Sequence, residues 1–244
     1  MLKYDLTYKS YGERSILIEW PKKIDENILE DILNFKNCII ERSNEVIIQI
    51  KSAYNSILIT YDLGIDNINT KISTLKTLYS ARIETALPVR KLWKVPVCYD
   101  HEFALDLEYI SKLKKLSKTE IVNIHSTGIY TVFFIGFLPG FLYLGGLDNR
   151  LITPRRSTPR LQINKGDVGI GGSQTGIYPN QSPGGWHIIG NSPILFFDAS
   201  KKTPCFAKAG DKIQFVPIDL KTYRRIEVEM QAGIYNLESE VIDG

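Results

Sequence analysis

The sequence predicts an α+β protein in two parts, an N-terminal α/β sandwich followed by a β-barrel, and three observations carry that reading. Residues 1–99 alternate β-branched and aromatic runs with two helical periods, and residues 100–129 hold two more helical periods. From Tyr130 to Asp198 the helical period disappears, while 12 of the chain's 18 glycines and 6 of its 11 prolines accumulate. Strands in that stretch must be short and joined by tight turns, as in a compact barrel. With 244 residues, two domains can each bury a core. The expected division is 1–99, a helical connector at 100–129, and the barrel at 130–244.

In chain order, YDLTYK and SILIEW read as strands, rich in β-branched and aromatic residues. Ile24 to Phe35 reads as a helix, with Ile28, Leu29, Ile32 and Leu33 on one face. CIIERS, EVIIQI and SILITYD return to strand. A second helix runs from Ile68 to about Glu84, with Ile72, Leu75, Leu78 and Tyr79 similarly spaced, and KLWKVPVCY closes the domain as a strand. The connector carries a helix at Leu105 to Leu116 and then Ser117-x-x-Glu120, a capping box that opens a helix closed by Gly128. TVFFIGF, LQIN, HIIG, PILFFD and KIQFVPI are the barrel strands, and residues 217–244 form a final helix or strand with a polar tail.

Composition excludes several functions. A formal charge of +3 is too small for a nucleic-acid partner, and the basic run KLKKLSK is the solvated face of a helix. The longest apolar run, TVFFIGFLPGF, is too short to span a membrane, and MLKYDLTYKSYGERS lacks the features of a secretory signal, so the cytoplasm is expected. Cys38, Cys98 and Cys205 are odd in number and widely spaced, which predicts buried thiols and no disulfide framework. With His101, His125 and His187 far apart, no metal site is expected. There is no G-x-x-x-x-G-K-[ST], G-x-S-x-G or H-E-x-x-H.

What remains is an anion-recognition pattern. Arg150, Arg155, Arg156 and Arg160 fall within eleven residues, on a loop stiffened by Pro154 and Pro159. A guanidinium fork matches a carboxylate or phosphate bidentately, and a stiff loop lowers the ordering cost of binding. Turns at Gly169–Gly172 and Gly184–Gly185 offer backbone N–H donors. For proton transfer the histidines His125 and His187 are candidates, with Glu102 and Asp106 as carboxylates spaced (i, i+4) near a helix start. Each also has an ordinary structural explanation, as packed histidines and helix-start charges. Trp186 and Tyr178 are candidates for a pocket lining or for core.

The strings YTVFFIGFLPGFLYLGGLDNRLITPRRSTPR and GDVGIGGSQTGIYPNQSPGGWHIIGNSPILFFD, with VPVCYDHEFALDL upstream, resemble the family of the 5-oxoprolinase B subunit, which also bears the names Kip-type kinase inhibitor, allophanate hydrolase subunit 1 and carboxyltransferase domain, subdomain C and D. The resemblance covers essentially the whole chain and implies that the barrel is cyclophilin-like. It departs from the usual pattern at Asn164, Lys165 and Asn191. It implies one component, inactive alone, of a complex that uses ATP to hydrolyse the small molecule 5-oxo-L-proline to L-glutamate. The implied partners are a KipA-like C component and a LamB/YcsF-like A component of that complex. Which of the three binds ATP stays open. Biotin-dependent relatives carry biotin on a lysine between methionines; Met1 and Met230 lack such a lysine, so no biotin is expected on this chain. Alternatives are an inhibitor that binds a sporulation histidine kinase, and a component of an allophanate- or urea-related hydrolase. Because charge would build on phosphate and carbonyl oxygens in the ATP-dependent reaction, the expected roles are anion binding for Arg155, Arg156 and Arg160, substrate orientation for Gln174, Thr175 and Tyr178, and proton transfer for His125 with Glu102.

Overall fold

The computed structural model describes residues 4–43, 46–83 and 89–242, in two compact units that divide between Pro88 and Val89. The first unit is a two-layer sandwich. Its strands β1 (Thr7–Ser10), β2 (Ser15–Glu19), β3 (Ile47–Ala53) and β4 (Ser56–Tyr61) form an antiparallel sheet in the order β1-β2-β4-β3. Alternation sends Ile16, Ile18, Ile57, Ile59 and Tyr61 to the buried face. Helices α1 (Glu26–Arg42) and α2 (Ile68–Ser80) complete that core with Ile28, Ile32, Phe35, Leu75 and Tyr79. Asp25 and Asn67 cap the two helices, each accepting a backbone N–H with its side chain.

Helix α1 is longer than its expected Ile24–Phe35 span, and CIIERS is not a strand. Cys38 and Ile39 continue the apolar stripe of Ile28, Ile32 and Phe35 at helical spacing, so burial overrides the strand preference of the β-branched Ile39. Helix α2 stops at Ser80 and is capped at Ala81, short of its expected end near Glu84, which lies outside the described residues.

The second unit holds the barrel. Strands β5 (Arg90–Cys98), β6 (Ile129–Ile135), β7 (Leu142–Gly145), β9 (Asp167–Gly171), β10 (Gln174–Ile177), β12 (His187–Asn191) and β13 (Lys212–Ile218) close into a mixed seven-stranded ring in the order β12-β9-β10-β7-β6-β13-β5, sealed by pairing of Asn191 with Cys98. Helices α3 (Leu107–Lys114) and α4 (Lys118–Thr127) send Leu107, Ile110 and Ile121 into its core, and Ser117 and Glu120 form the expected capping box. A ribbon of β8 (Arg160–Ile163) and β11 (Ser182–Gly184) stands outside the ring, and α5 (Leu220–Gln231) and β14 (Ser239–Ile242) end the chain. The last segment thus forms both a helix and a strand.

Strand β5, which the sequence reading placed with the N-terminal domain, runs parallel to β13 over seven residue pairs and belongs to the barrel unit. PILFFD is not a strand; Ile194 and Phe196 from that segment fill the barrel core from a loop. No helix among the described residues is long and apolar enough to cross a membrane.

Candidate functional site

The glycine-rich strands β9 and β10 make a smooth outer wall. Their inward side chains Val168, Ile170 and Ile177 fill the barrel, whereas Gly169, Gly171 and Gly176 face out, and the Trp186 side chain lies against all three. A Cβ on Gly171 would collide with the indole ring, and one on Gly176 would sit 3.1 Å from it. These glycines are therefore required by close packing, not by turns. Trp186 meets Phe141, Tyr143 and Tyr178 edge-on, which forms an aromatic cluster separate from the barrel core. Burial pushes the Tyr178 hydroxyl up to about 12, so it stays protonated at neutral pH.

The arginine loop is clamped over this wall at several points. Thr153 and Gly172 exchange backbone hydrogen bonds of 3.2 and 2.7 Å, and the Arg156 N–H donates to Gly185 O at 2.8 Å. His187 donates from Nε2 to Pro154 O at 3.0 Å and stacks on Tyr109. Its Nδ1 is buried without a partner, as is the Nε of Arg156.

The strongest clamp is Asp106, at the start of α3. Arg160 forks onto both its oxygens at 2.7 and 2.8 Å, Arg156 reaches Oδ1 at 3.2 Å, and the Ile188 N–H donates to Oδ2 at 2.7 Å. Burial pushes this carboxyl upward, but the hydrogen bonds from Arg160 and Ile188 and the neighbouring positive charge outweigh it and hold the group below its ordinary range. Two of the expected anion-binding arginines are thus already occupied by an internal anion. Arg155 is different. It is exposed, it lies 5.8 Å from the Trp186 ring centre, and it has no carboxylate partner among the described residues. Asp106 meets two of the three guanidinium groups on this loop, so the loop keeps a net positive charge.

The other candidate residues separate. Gln174 shares the outward face of β10 with Gly176, two positions along, and is partly exposed beside the Gly172 turn. Thr175 points inward, donating to Gly169 O at 3.0 Å and accepting from His125 Nε2 at 2.9 Å. The Nδ1 of His125 then accepts from the Tyr99 hydroxyl at 2.7 Å, and the ring stacks on Phe215. His125 is fully buried in the barrel, and desolvation lowers its pKa to about 3, so it is neutral. Glu102 lies on the surface, paired with Arg224, and does not meet His125. Nor do Glu102 and Asp106 share a helix face, because α3 begins only at Leu107 and Asp106 turns inward. Arg150 pairs with Asp148 at 2.7 Å on a short 3-10 turn, apart from the Asp106 cluster. The role of Asp106 was hidden in the sequence, since its partners lie 50 and 54 residues away. The available signal was an arginine-rich loop with no carboxylate of its own near Arg155–Arg160.

Comparison with known proteins sets this geometry among relatives. The family model described as carboxyltransferase domain, subdomain C and D, matches residues 6–207. The chain is 34% identical to the 5-oxoprolinase B subunit of Bacillus subtilis over 228 residues, covering 89% of this chain and 95% of that one. It is 38% identical to the 5-oxoprolinase B subunit of Haemophilus influenzae over 175 residues, covering 72% and 81%. In fold it is similar to the urea amidolyase of K. lactis, with a TM-score of 0.82 at 20% identity over 98% of this chain and 16% of that one.

Proposed function

Because the chain belongs to the family of the carboxyltransferase domain, subdomain C and D, we propose that it is the B component of a 5-oxoprolinase complex. The complex opens the lactam of 5-oxo-L-proline to L-glutamate with ATP, and this chain supplies one wall of a site completed by the A and C components. The observation that carries the assignment of the site is Arg155, a guanidinium with no carboxylate partner among the described residues, held on a clamped loop beside an aromatic floor. A compact ring bearing a carboxylate fits that arrangement, with the carboxylate on Arg155, the ring against Trp186 and Tyr143, and the lactam amide within the range of Gln174.

An unstrained amide resists water, so the lactam oxygen must first be phosphorylated. Hydroxide then adds to the activated carbon, the C–N bond breaks to free the amine and leave an acyl phosphate, and a second water hydrolyses that acyl phosphate to carboxylate and inorganic phosphate. This chain's part is binding and orientation: Arg156 and Arg160 hold the loop through Asp106, Tyr178 backs the floor, and His125 and Thr175 fix strand β10 from inside the barrel. Glu102 lies outside this site.

The test is to express the chain alone, and together with candidate A and C components, and to follow ADP release. The expected result is 5-oxoproline-dependent ADP release from the three-protein assembly and none from this chain alone. A stable assembly that binds ATP but shows no dependence on 5-oxoproline would overturn the assignment.

A further inference from the structure

A cavity of about 340 Å³ lies in the barrel unit, on the side of α5, and its wall carries both signs of charge beside apolar side chains. Lys165, Ser192 and Gln231 supply donors, Glu227 supplies a carboxylate, and Pro193, Ile194, Leu195 and Met230 form the apolar part. None of the residues assigned to the 5-oxoproline site takes part.

Two of these groups lack internal partners. Ser192 is 2% exposed, and although its backbone N–H donates to Gly166 O at 2.8 Å, its hydroxyl is buried with no hydrogen bond. A buried hydroxyl left unpaired costs about 1–3 kcal/mol, and native structures keep such groups chiefly where another molecule satisfies them. Lys165 has no ion-pair partner among the described residues, while its carbonyl anchors the loop by accepting from Asn191 Nδ2 at 2.9 Å. Glu227 is only partly engaged: it meets Arg224 at 3.3 Å, and Arg224 also pairs with Glu102. Tyr223, by contrast, has its hydroxyl committed to Asn191 Oδ1 at 2.8 Å, so it serves as a fixed wall.

We propose that this cavity binds a free α-amino acid. The ligand's carboxylate meets the Lys165 ammonium and the Ser192 hydroxyl, its ammonium meets Glu227, and its side chain lies along Met230, Ile194 and Leu195. An inorganic anion would leave Glu227 repelling it and the apolar wall unused. A purely apolar ligand would strand the Ser192 hydroxyl and the Lys165 charge. The volume lies at the lower end of small-molecule sites, which run from about 300 to 1,000 Å³. The proposal stands apart from the assignment of the 5-oxoproline site, because it uses other residues and needs no partner protein.

The experiment is calorimetric titration of the full chain with L-methionine, L-leucine and L-glutamate, and then with the N-acetyl and the carboxamide derivatives of the tightest of them. Saturable binding is expected for at least one amino acid, and each derivative should bind about tenfold or more weakly, because each strands one charged group of the site. Lys165→Gln and Ser192→Ala should weaken binding similarly. Ser192→Ala should leave Tm unchanged or raised, since it removes an unsatisfied hydroxyl; a role in packing alone would lower Tm and leave affinity untouched. Absence of saturable binding by all three amino acids overturns the proposal, as does equal binding by the derivatives or by both variants.

Discussion

Each unit of this protein buries an aspartate against arginine, and the two clusters are built to opposite ends. In the sandwich unit, Asp31 faces Arg82, whose side chain is 0% exposed, and it also accepts from Trp20 Nε1 at 2.8 Å and from the Tyr79 hydroxyl at 2.6 Å. The guanidinium lies 3.4 Å from the Tyr79 ring centre. Among the described residues, this cluster sets one carboxylate against one guanidinium, buried under aromatic rings. In the barrel unit, Asp106 faces two arginines that are 33% and 23% exposed, and a third, Arg155, stands unpaired beside them. The buried cluster ties α1 to the end of α2 through Asp31, Tyr79 and Arg82. An open cluster with excess positive charge locks a loop and leaves one guanidinium without a carboxylate partner among the described residues.

The largest effect is expected from breaking the closed cluster. Asp31→Asn removes the carboxylate that Arg82 meets among the described residues, in a buried site, and should destabilise the sandwich unit by about 3–5 kcal/mol, the usual result of removing one partner from a buried pair. Urea denaturation followed by Trp20 fluorescence checks this. Replacing both partners with apolar residues of similar volume should recover much of the loss. A loss under about 1 kcal/mol for Asp31→Asn would mean that water reaches Arg82 and that the two clusters are alike.

Asp106→Asn comes next. Its arginines reach solvent, so the variant should lose about 1–3 kcal/mol, less than its counterpart, because hydration screens the freed charges. It should also loosen the Arg155 loop, which hydrogen exchange at the Arg156 and Ile188 amides would register. The two clusters would be equivalent if Asp106→Asn cost as much as Asp31→Asn.

These two clusters also mark where the sequence was legible. Local signals were read correctly: the Ser117–Glu120 capping box, the helical spacing in α2 and the strand KIQFVPI depend on neighbours within a few residues. Strands β9 and β10 were read as turns, because their glycines are placed to admit an indole from another segment, and a single sequence does not reveal that contact. The stiffness of the arginine loop was visible in Pro154 and Pro159. The division of labour along it was not, since Arg155, Arg156 and Arg160 look alike until Asp106 is brought from 50 residues away to claim two of them.

An effect confined to acid pH separates the barrel interior from the surface cluster. His125 is neutral when folded, with its pKa lowered to about 3, whereas the unfolded chain protonates near 6.5. Below the unfolded value the unfolded state binds the extra proton, so stability falls as pH drops from about 6.5 towards 3 and is insensitive to this group above that range. His125→Gln should flatten this part of the pH–stability curve at some cost in packing. A curve of unchanged slope would remove the buried histidine as its source.

The smallest effect on stability is expected where the effect on function is greatest. Arg155 is exposed and pairs with no carboxylate among the described residues, so Arg155→Ala should change unfolding free energy by no more than about 0.5 kcal/mol. The same variant in the assembled complex should lose 5-oxoproline-dependent ADP release, chiefly through a raised KM if the guanidinium holds the substrate carboxylate throughout the reaction. Arg155→Lys keeps the charge but not the planar fork, and should recover only part of the affinity. If Arg155→Ala is instead fully active, the open cluster is a structural clamp like the closed one, and its excess charge serves no ligand.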